Sequence, residues 1–390
     1  MNKLLATAAA IIACTTSAQA ADPLKIGVLM PTTGVFAVLG QEQIKGMQYA
    51  VEEAGGEVAG RKIELLIEDT QGAPAVGLTK ARKFVTSDNV DAVAGIISSA
   101  VALAVSPYFS SAKVPVVISN ATTDELSGSK CSPYVFRVSF SSSQMSEPIG
   151  DYLGKKGIKN LFLMASDYVA PREHIAAARR AFEKHGGKIA GEAYPPFAKT
   201  QDYGPYISQV RSANADAVLP IFYGSEALTF MKQWHSFGMQ NTLPAYGSAG
   251  LTPPVLLGAL GEAALNVVSV TNYVPEIDTA VNKRFVEAWR KRFNADPEEF
   301  AVEGYDSVRY ILEAVKKLNG DTKNRDAFAA AISKTAYESP RGPLAIDKTN
   351  TVSQNIYVVK TVKKGDKIGY DILETYRDFR DPVQGCALQK

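Results

Sequence analysis

Cysteine and histidine are scarce, with three of each in 390 residues. That excludes a zinc scaffold and argues against an enzyme built on several histidine ligands. Neither sign of charge is in excess. Lysine plus arginine number 42 and aspartate plus glutamate 40, a formal net charge of +2. With no basic surplus to condense on a phosphate backbone, a general nucleic-acid binder is disfavoured. Internal repeats are lacking, and so are low-complexity tracts outside the N-terminal segment. No segment reaches the ~20 apolar residues of a membrane span. What is present is an ordinary globular balance, 46% apolar, 21% charged and 9% aromatic. At roughly 100–200 residues per domain, the length predicts two or three domains with room for real cores.

The first residues, 1–20, read MNKLLATAAAIIACTTSAQA. Lys3 gives a short positive start, Leu4 to Cys14 is apolar, and Ala18-Gln19-Ala20 is a small-x-small cleavage site. This pattern predicts a secretory signal peptide cleaved after Ala20, and hence an exported, periplasmic product. The rival is a lipoprotein acylated at Cys14, whose leader would be shorter than the better-formed Ala-Gln-Ala site implies. Cleavage leaves two cysteines, Cys131 and Cys386. Both sit in Ser-, Pro- or Gly-containing, loop-like stretches. Export to an oxidising compartment favours a Cys131–Cys386 disulfide over two free thiols. It would tether the C-terminal tail to the body.

Short apolar runs then alternate with helical patterns. Strands are predicted at 25–30, 63–68, 91–97 and 115–118, with helices at 41–54, 75–86 and 101–112 between them. The pattern restarts with strands at 161–165, 188–194 and 217–222, each followed by a helix (172–185, 203–212, 226–237). Short strands follow at 244–246 and 267–270, then helices at 279–293 and 303–318. The tail is strand-rich, at 344–347, 356–362 and 367–373, with a turn at Gly365-Asp366. Such alternation predicts an α/β fold of two doubly wound parallel-sheet lobes. The late helices return to the first lobe, so the chain crosses several times and forms a hinge. The expected division is 21–138 with 273–342 for lobe one, and 139–272 with 343–390 for lobe two.

Open parallel sheets bind ligands beyond the carboxyl ends of their strands. Here those ends carry Thr32-Thr33-Gly34, Ser98-Ser99-Ala100, Asn120-Ala121-Thr122-Thr123, Ser166-Asp167-Tyr168, Tyr223-Gly224-Ser225 and Gly247-Ser248-Ala249-Gly250. Helix starts offer unpaired N–H groups and partial positive charge, which suit an anion. Any single Ser or Thr there is more often an N-cap; six such ends on two facing lobes shift the balance. Catalytic motifs are poor. No phosphate loop or dinucleotide fingerprint occurs, and Tyr246-Gly247-Ser248-Ala249-Gly250 misses the nucleophile-elbow spacing by one. His174 and His185 share a helix face but stand ~16 Å apart, too far to share a metal. With His235 they read as surface or boundary residues. The i, i+4, i+8 spacing of Phe285, Trp289 and Phe293 reads as a core stripe.

The leader, the alternation and these loops together resemble the solute-binding proteins of ABC importers, with the type I periplasmic-binding fold. The branched-chain amino-acid branch and its aromatic-acid relatives are most similar. The stretches that carry this are Lys25 to Gly34, Gly46-Met47-Gln48-Tyr49-Ala50, Glu68-Asp69-Thr70, Gly95 to Ser99 and Pro115 to Thr122. The resemblance implies a non-catalytic binding protein without cofactor or metal, monomeric, that hands a small carboxylate to a permease and its ATPase. It implies that Ser98, Ser99, Ala121 (through its backbone) and Thr122 hold the carboxylate. Phe36, Leu39, Tyr168, Phe222, Tyr223 and Tyr246 would clamp a flat ring. Amino-acid-binding members place an acidic residue for the ligand ammonium; that position falls on Ala249. A buried ammonium without a partner costs several kcal/mol. The expected ligand is therefore an aromatic acid such as a benzoate, hydroxycinnamate or phenyl keto acid. Branched-chain or other amino acids are the alternative should Glu226 or Asp167 take the acidic role. From other classes, a secreted hydrolase using Ser248 or Ser99 and a sensory ligand domain remain open.

Overall fold

A computed structural model describes residues 22–389. The leader assigned to 1–20, with Cys14 and the cleavage site, lies outside the described residues. The first half runs β1 (Leu24–Met30), α1 (Ala37–Glu53), β2 (Glu57–Val58), β3 (Arg61–Asp69), α2 (Pro74–Lys83), β4 (Ala92–Gly95), α3 (Ser99–Ser111), β5 (Val116–Ile118) and β6 (Val135–Arg137). These strands form one sheet in the order β2-β3-β1-β4-β5-β6. From β3 to β6 it is parallel, with Ile26 beside Leu65 on one side and Ala92 on the other. The strands are apolar because both faces are covered.

The second series is α4 (Ser142–Lys155), β7 (Asn160–Ala165), α5 (Val169–Glu183), β8 (Lys188–Ala193), α6 (Gly204–Ser212), β9 (Ala217–Ile221), α7 (Gly224–Ser236), β10 (Tyr246–Ser248), α8 (Pro254–Leu260) and β11 (Val268–Thr271). Strands β8-β7-β9 are parallel, a bridge from Val218 to Ala245 joins β9 to the edge of β10, and β10 pairs parallel with β11. The chain continues through α9 (Ala280–Phe293), α10 (Glu299–Lys317), α11 (Arg325–Ser333), β12 (Ala336–Ser339), β13 (Gly342–Ile346), β14 (Val352–Lys364) and β15 (Lys367–Phe379). Strand β14 adds antiparallel to β11, and β15 folds back on it across Gly365-Asp366. Two α/β lobes with parallel sheets therefore stand as expected, the second finished by an antiparallel hairpin.

The late helices do return to the first lobe. Helix α10 packs on α1 so closely that a Cβ on Gly46 would fall 1.8 Å from the Ala301 carbonyl oxygen. Helix α9 presents Phe285, Trp289 and Phe293 to Tyr49, with the Trp289 ring 5.2 Å away. The aromatic spacing is thus a core stripe. Cys131 and Cys386 are joined by a disulfide across 255 residues. It carries the tail back to the first lobe, where Asp381 pairs with the buried Arg137 at 3.0 Å.

The surface or boundary placement expected for His174 is wrong. Its side chain is fully buried, with Nδ1 2.6 Å from Ser146 Oγ. The cover is α4, a helix that the Ser-, Pro- and Gly-rich stretch at 142–155 does not announce. The Ser141 hydroxyl caps it by accepting from Gln144 N, and Gly150 lets its backbone approach Ala178 of α5. Among the described residues no helix is long and apolar enough to cross a membrane.

Candidate functional site

The carboxyl ends of the two sheets face each other, and one enclosed cavity lies between them. It is lined by Phe36, Leu39, Ile97, Ser99, Asn120, Thr122, Tyr168, Ala170 and Tyr223. Six of the expected residues meet there: Phe36, Leu39, Ser99, Thr122, Tyr168 and Tyr223.

Local backbone chemistry places each of them. After β4 the chain turns at Ile96, whose φ of 76° is strained for a β-branched residue. Its carbonyl accepts from Ala121 N at 2.9 Å, which locks the loops after β4 and β5 together. Ser99 opens α3. Its hydroxyl oxygen accepts from both Thr122 N and Thr123 N at 3.1 Å, so its own proton is free to point elsewhere. The first-turn amides of α3 have no carbonyl four residues back and add donors at the same end. Across the cavity, Tyr168 and Tyr223 are the N-cap residues of α5 and α7, so two further helix starts point inward.

Other expected residues serve elsewhere. Ser98 is an N-cap that accepts from Val101 N at 3.4 Å, and it does not line the cavity. Ala121 spends its amide on Ile96, so no backbone donor is left for a ligand there. Phe222 points into the lobe-two core, its ring 4.7 Å from Phe230 and 5.2 Å from Tyr203, directly after the fully buried strand β9. Tyr246 packs half-buried against the core cluster on α4 and α5 rather than the cavity. Ala249 opens the short turn Ala249–Leu251 after β10; the next residue, Gly250, lies against the Tyr223 ring.

Residues the sequence reading passed over complete the wall. Ile97 and Ala170 are apolar neighbours of named loop residues. Asn120 stands in a loop already singled out. Phe197 comes from an irregular segment with no periodic signal, yet stacks on Phe36 at 5.6 Å and meets Tyr168 at 4.5 Å.

Among the described residues no carboxylate and no cation lines this cavity. Glu226 is occupied by Ser166 Oγ at 2.7 Å and Ala198 N at 2.8 Å, and burial raises its pKa. Asp167 pairs with Arg172 at 2.7 Å. Neither is among the residues that line the cavity. His174 is held neutral, its pKa pushed down to about 3 by burial. It bonds Ser146 and the Tyr223 hydroxyl, so neither Ser99 nor Ser248 has a histidine to activate it.

The lobes are closed. Phe36 of the first approaches Tyr168 of the second at 6.3 Å, and Ser225 N donates to the Val35 carbonyl at 3.3 Å. Glu173 of α5 accepts from Thr123 Oγ1 at 2.9 Å and Asp124 N at 3.0 Å. Burial, then the Asp124 charge, raises its carboxyl to about 7.

A sequence model described as "Periplasmic binding protein" matches residues 23–366. The Leu/Ile/Val-binding protein homolog 6 of Brucella melitensis is 31% identical over 392 aligned positions, 98% of this chain and 99% of that protein. A solute-binding protein of an ABC transporter from Rhodopseudomonas palustris BisB5, solved with 3,4-dihydroxybenzoic acid, superposes with a TM-score of 0.87. It is 32% identical, over 93% of this chain and 99% of that one. Another from R. palustris, solved with benzoate, superposes with a TM-score of 0.88. It is 28% identical, over 94% and 99% of the two chains.

Two predictions follow from the closed geometry. Gly224 has φ +58°, and a Cβ there would fall 2.3 Å from the Val35 carbonyl oxygen of the opposite lobe. Gly224→Ala should prop the lobes apart and weaken ligand binding by about tenfold or more, a loss of ~1.4 kcal/mol or more, while circular dichroism stays unchanged. Unaltered affinity in titration calorimetry would refute the contact. The second concerns Glu173. Its pKa is raised in the closed form relative to an open, hydrated carboxyl, so closure takes up a proton. Affinity should therefore rise as pH falls from about 7 toward the ordinary glutamate value of ~4.3. Glu173→Gln should flatten that profile; an identical slope in the variant would show that another group sets it.

Proposed function

Since the chain belongs to the periplasmic binding protein family, whose members include the substrate-binding proteins of ABC transporters, we propose that it captures a small aromatic carboxylic acid and delivers it to an ABC permease. The observation that carries this reading is the cavity's lining: directed neutral donors and flat apolar walls, with no carboxylate for an ammonium. Ser99, Thr122 and the start of α3 hold the carboxylate; Phe36, Leu39, Ile97 and Tyr168 enclose the ring. An α-amino acid would bury its ammonium against neutral atoms at a cost of several kcal/mol. That two solved relatives hold benzoates supports the choice.

In this account the protein works as a monomer in the periplasm, after removal of a leader, and does no chemistry on its cargo. The lobes divide near residues 138, 272 and 342 and hinge there, and the ligand stabilises the closed state by touching both lobes. The permease recognises that state, and its ATPase drives import. A sensory role would differ only in the membrane partner.

The test is a thermal-shift screen of benzoates, hydroxycinnamates and phenyl keto acids beside leucine, isoleucine and valine. Single-ring aromatic acids should raise the melting temperature and branched-chain amino acids should not. Stabilisation by leucine or valine alone would overturn the reading. Ser99→Ala combined with Thr122→Val should weaken the acid by about tenfold or more, removing two directed hydrogen bonds.

A further inference from the structure

Asn120 differs from the other polar groups of the cavity. Ser99, Thr122 and Tyr223 are hydroxyls and can turn a proton toward a ligand. Asn120 cannot turn. Its Nδ2 donates to Glu303 Oε2 at 2.8 Å. Glu303 in turn receives Asn272 Nδ2 on its other oxygen at 3.0 Å. Gln43 also faces it with its amide nitrogen, because Ser119 Oγ donates to Gln43 Oε1. Every side-chain amide around Glu303 thus presents a donor to it. Reversing Asn120 would set two acceptor oxygens against each other.

This leaves Asn120 Oδ1 on the cavity side, with no donor from the protein among the described residues. The residue is 8% exposed and lines the cavity, so a ligand that fills the cavity takes the place of water beside it. An amide oxygen only accepts, and a buried acceptor without a donor weakens binding of whatever fills the space around it. A carboxylate oxygen cannot satisfy it; a hydroxyl can.

We propose that Asn120, held by the positioning residue Glu303, is a specificity-determining acceptor that selects aromatic acids bearing a ring hydroxyl over the unsubstituted acid. The inference rests on the aromatic-acid reading of the site and narrows its ligand class. A site built to receive a hydroxyl discriminates strongly against the analogue that lacks it, because its own polar atom is then stranded.

Titration calorimetry on the full protein with benzoate and its three monohydroxy isomers tests this. It is run at about pH 8.5, since burial pushes the Glu303 carboxyl up to about 8. At least one isomer should bind about tenfold or more tightly than benzoate. In Asn120→Leu that preference should collapse to about twofold or less. Glu303→Gln frees the amide to reverse and should shrink the same ratio, an effect that a merely structural role would not produce. Equal binding of benzoate and all three isomers by the wild-type protein would overturn the inference alone. So would an Asn120→Leu variant that lost both acids equally. Binding of leucine but of no aromatic acid would overturn the function and the inference together. The wild-type comparison decides even if a variant fails to fold.

Discussion

A buried ion pair anchors the polar network that reaches the cavity wall. Arg341 lies against Asp306 at 2.6 Å, both side chains wholly buried where β12 turns into β13. The same guanidinium donates to the Val138 carbonyl at 2.7 Å and to Gln354 Oε1 at 2.5 Å. Gln354 reaches the Ser139 carbonyl and Asn272, and Asn272 reaches Glu303. Val138, Ser139, Asn272, Asp306, Arg341 and Gln354 are therefore stitched into one polar network. Such a network is a poor source of net stability, since desolvation offsets most of its attraction. What it does here is set geometry: removing one member strands the others without water.

That network reaches the cavity lining through Glu303 and Asn120. The remaining walls are helix starts and rings. No charged side chain lies among the described residues of the lining. In the proposed reading a carboxylate meets hydroxyl and amide donors aimed by the backbone, and an ammonium meets no carboxylate. Closing the lobes over an anion strengthens each of those donors by excluding water.

Much of the fold was legible in the residues. Alternating apolar runs and 3.6-residue patterns mark β1, β3, β4, β5 and α1 to α3, then β7 to β9 and α5 to α7, each within a few residues; the two-residue β2 left no such mark. The return of α9 and α10 followed from the surplus of helices. Helix α4 was invisible because its propensity is poor and tertiary cover, with one cap and one close glycine, makes it. The burial of His174 was missed for the same reason. Helix α11 (Arg325–Ser333) was short enough to escape notice. At the site, position after a strand was a good guide to the loops and a weak guide to side chains. Ser99 and Ser98 are adjacent and look alike, yet one faces the cavity and the other caps a helix. Phe222 and Tyr223 alternate on a strand end, so only one can face the ligand. Phe197 and the fixed amide of Asn120 depend on contacts distant in the chain, which spacing does not carry.

The most direct measurement is a crystal structure of the protein grown with benzoate or a hydroxybenzoate. The account requires the ring between Phe36 and Tyr168, the carboxylate on Ser99 and Thr122, and both lobes in contact with the ligand. Density for the acid outside the crevice, or a bound amino acid with its ammonium on Glu226, would contradict it.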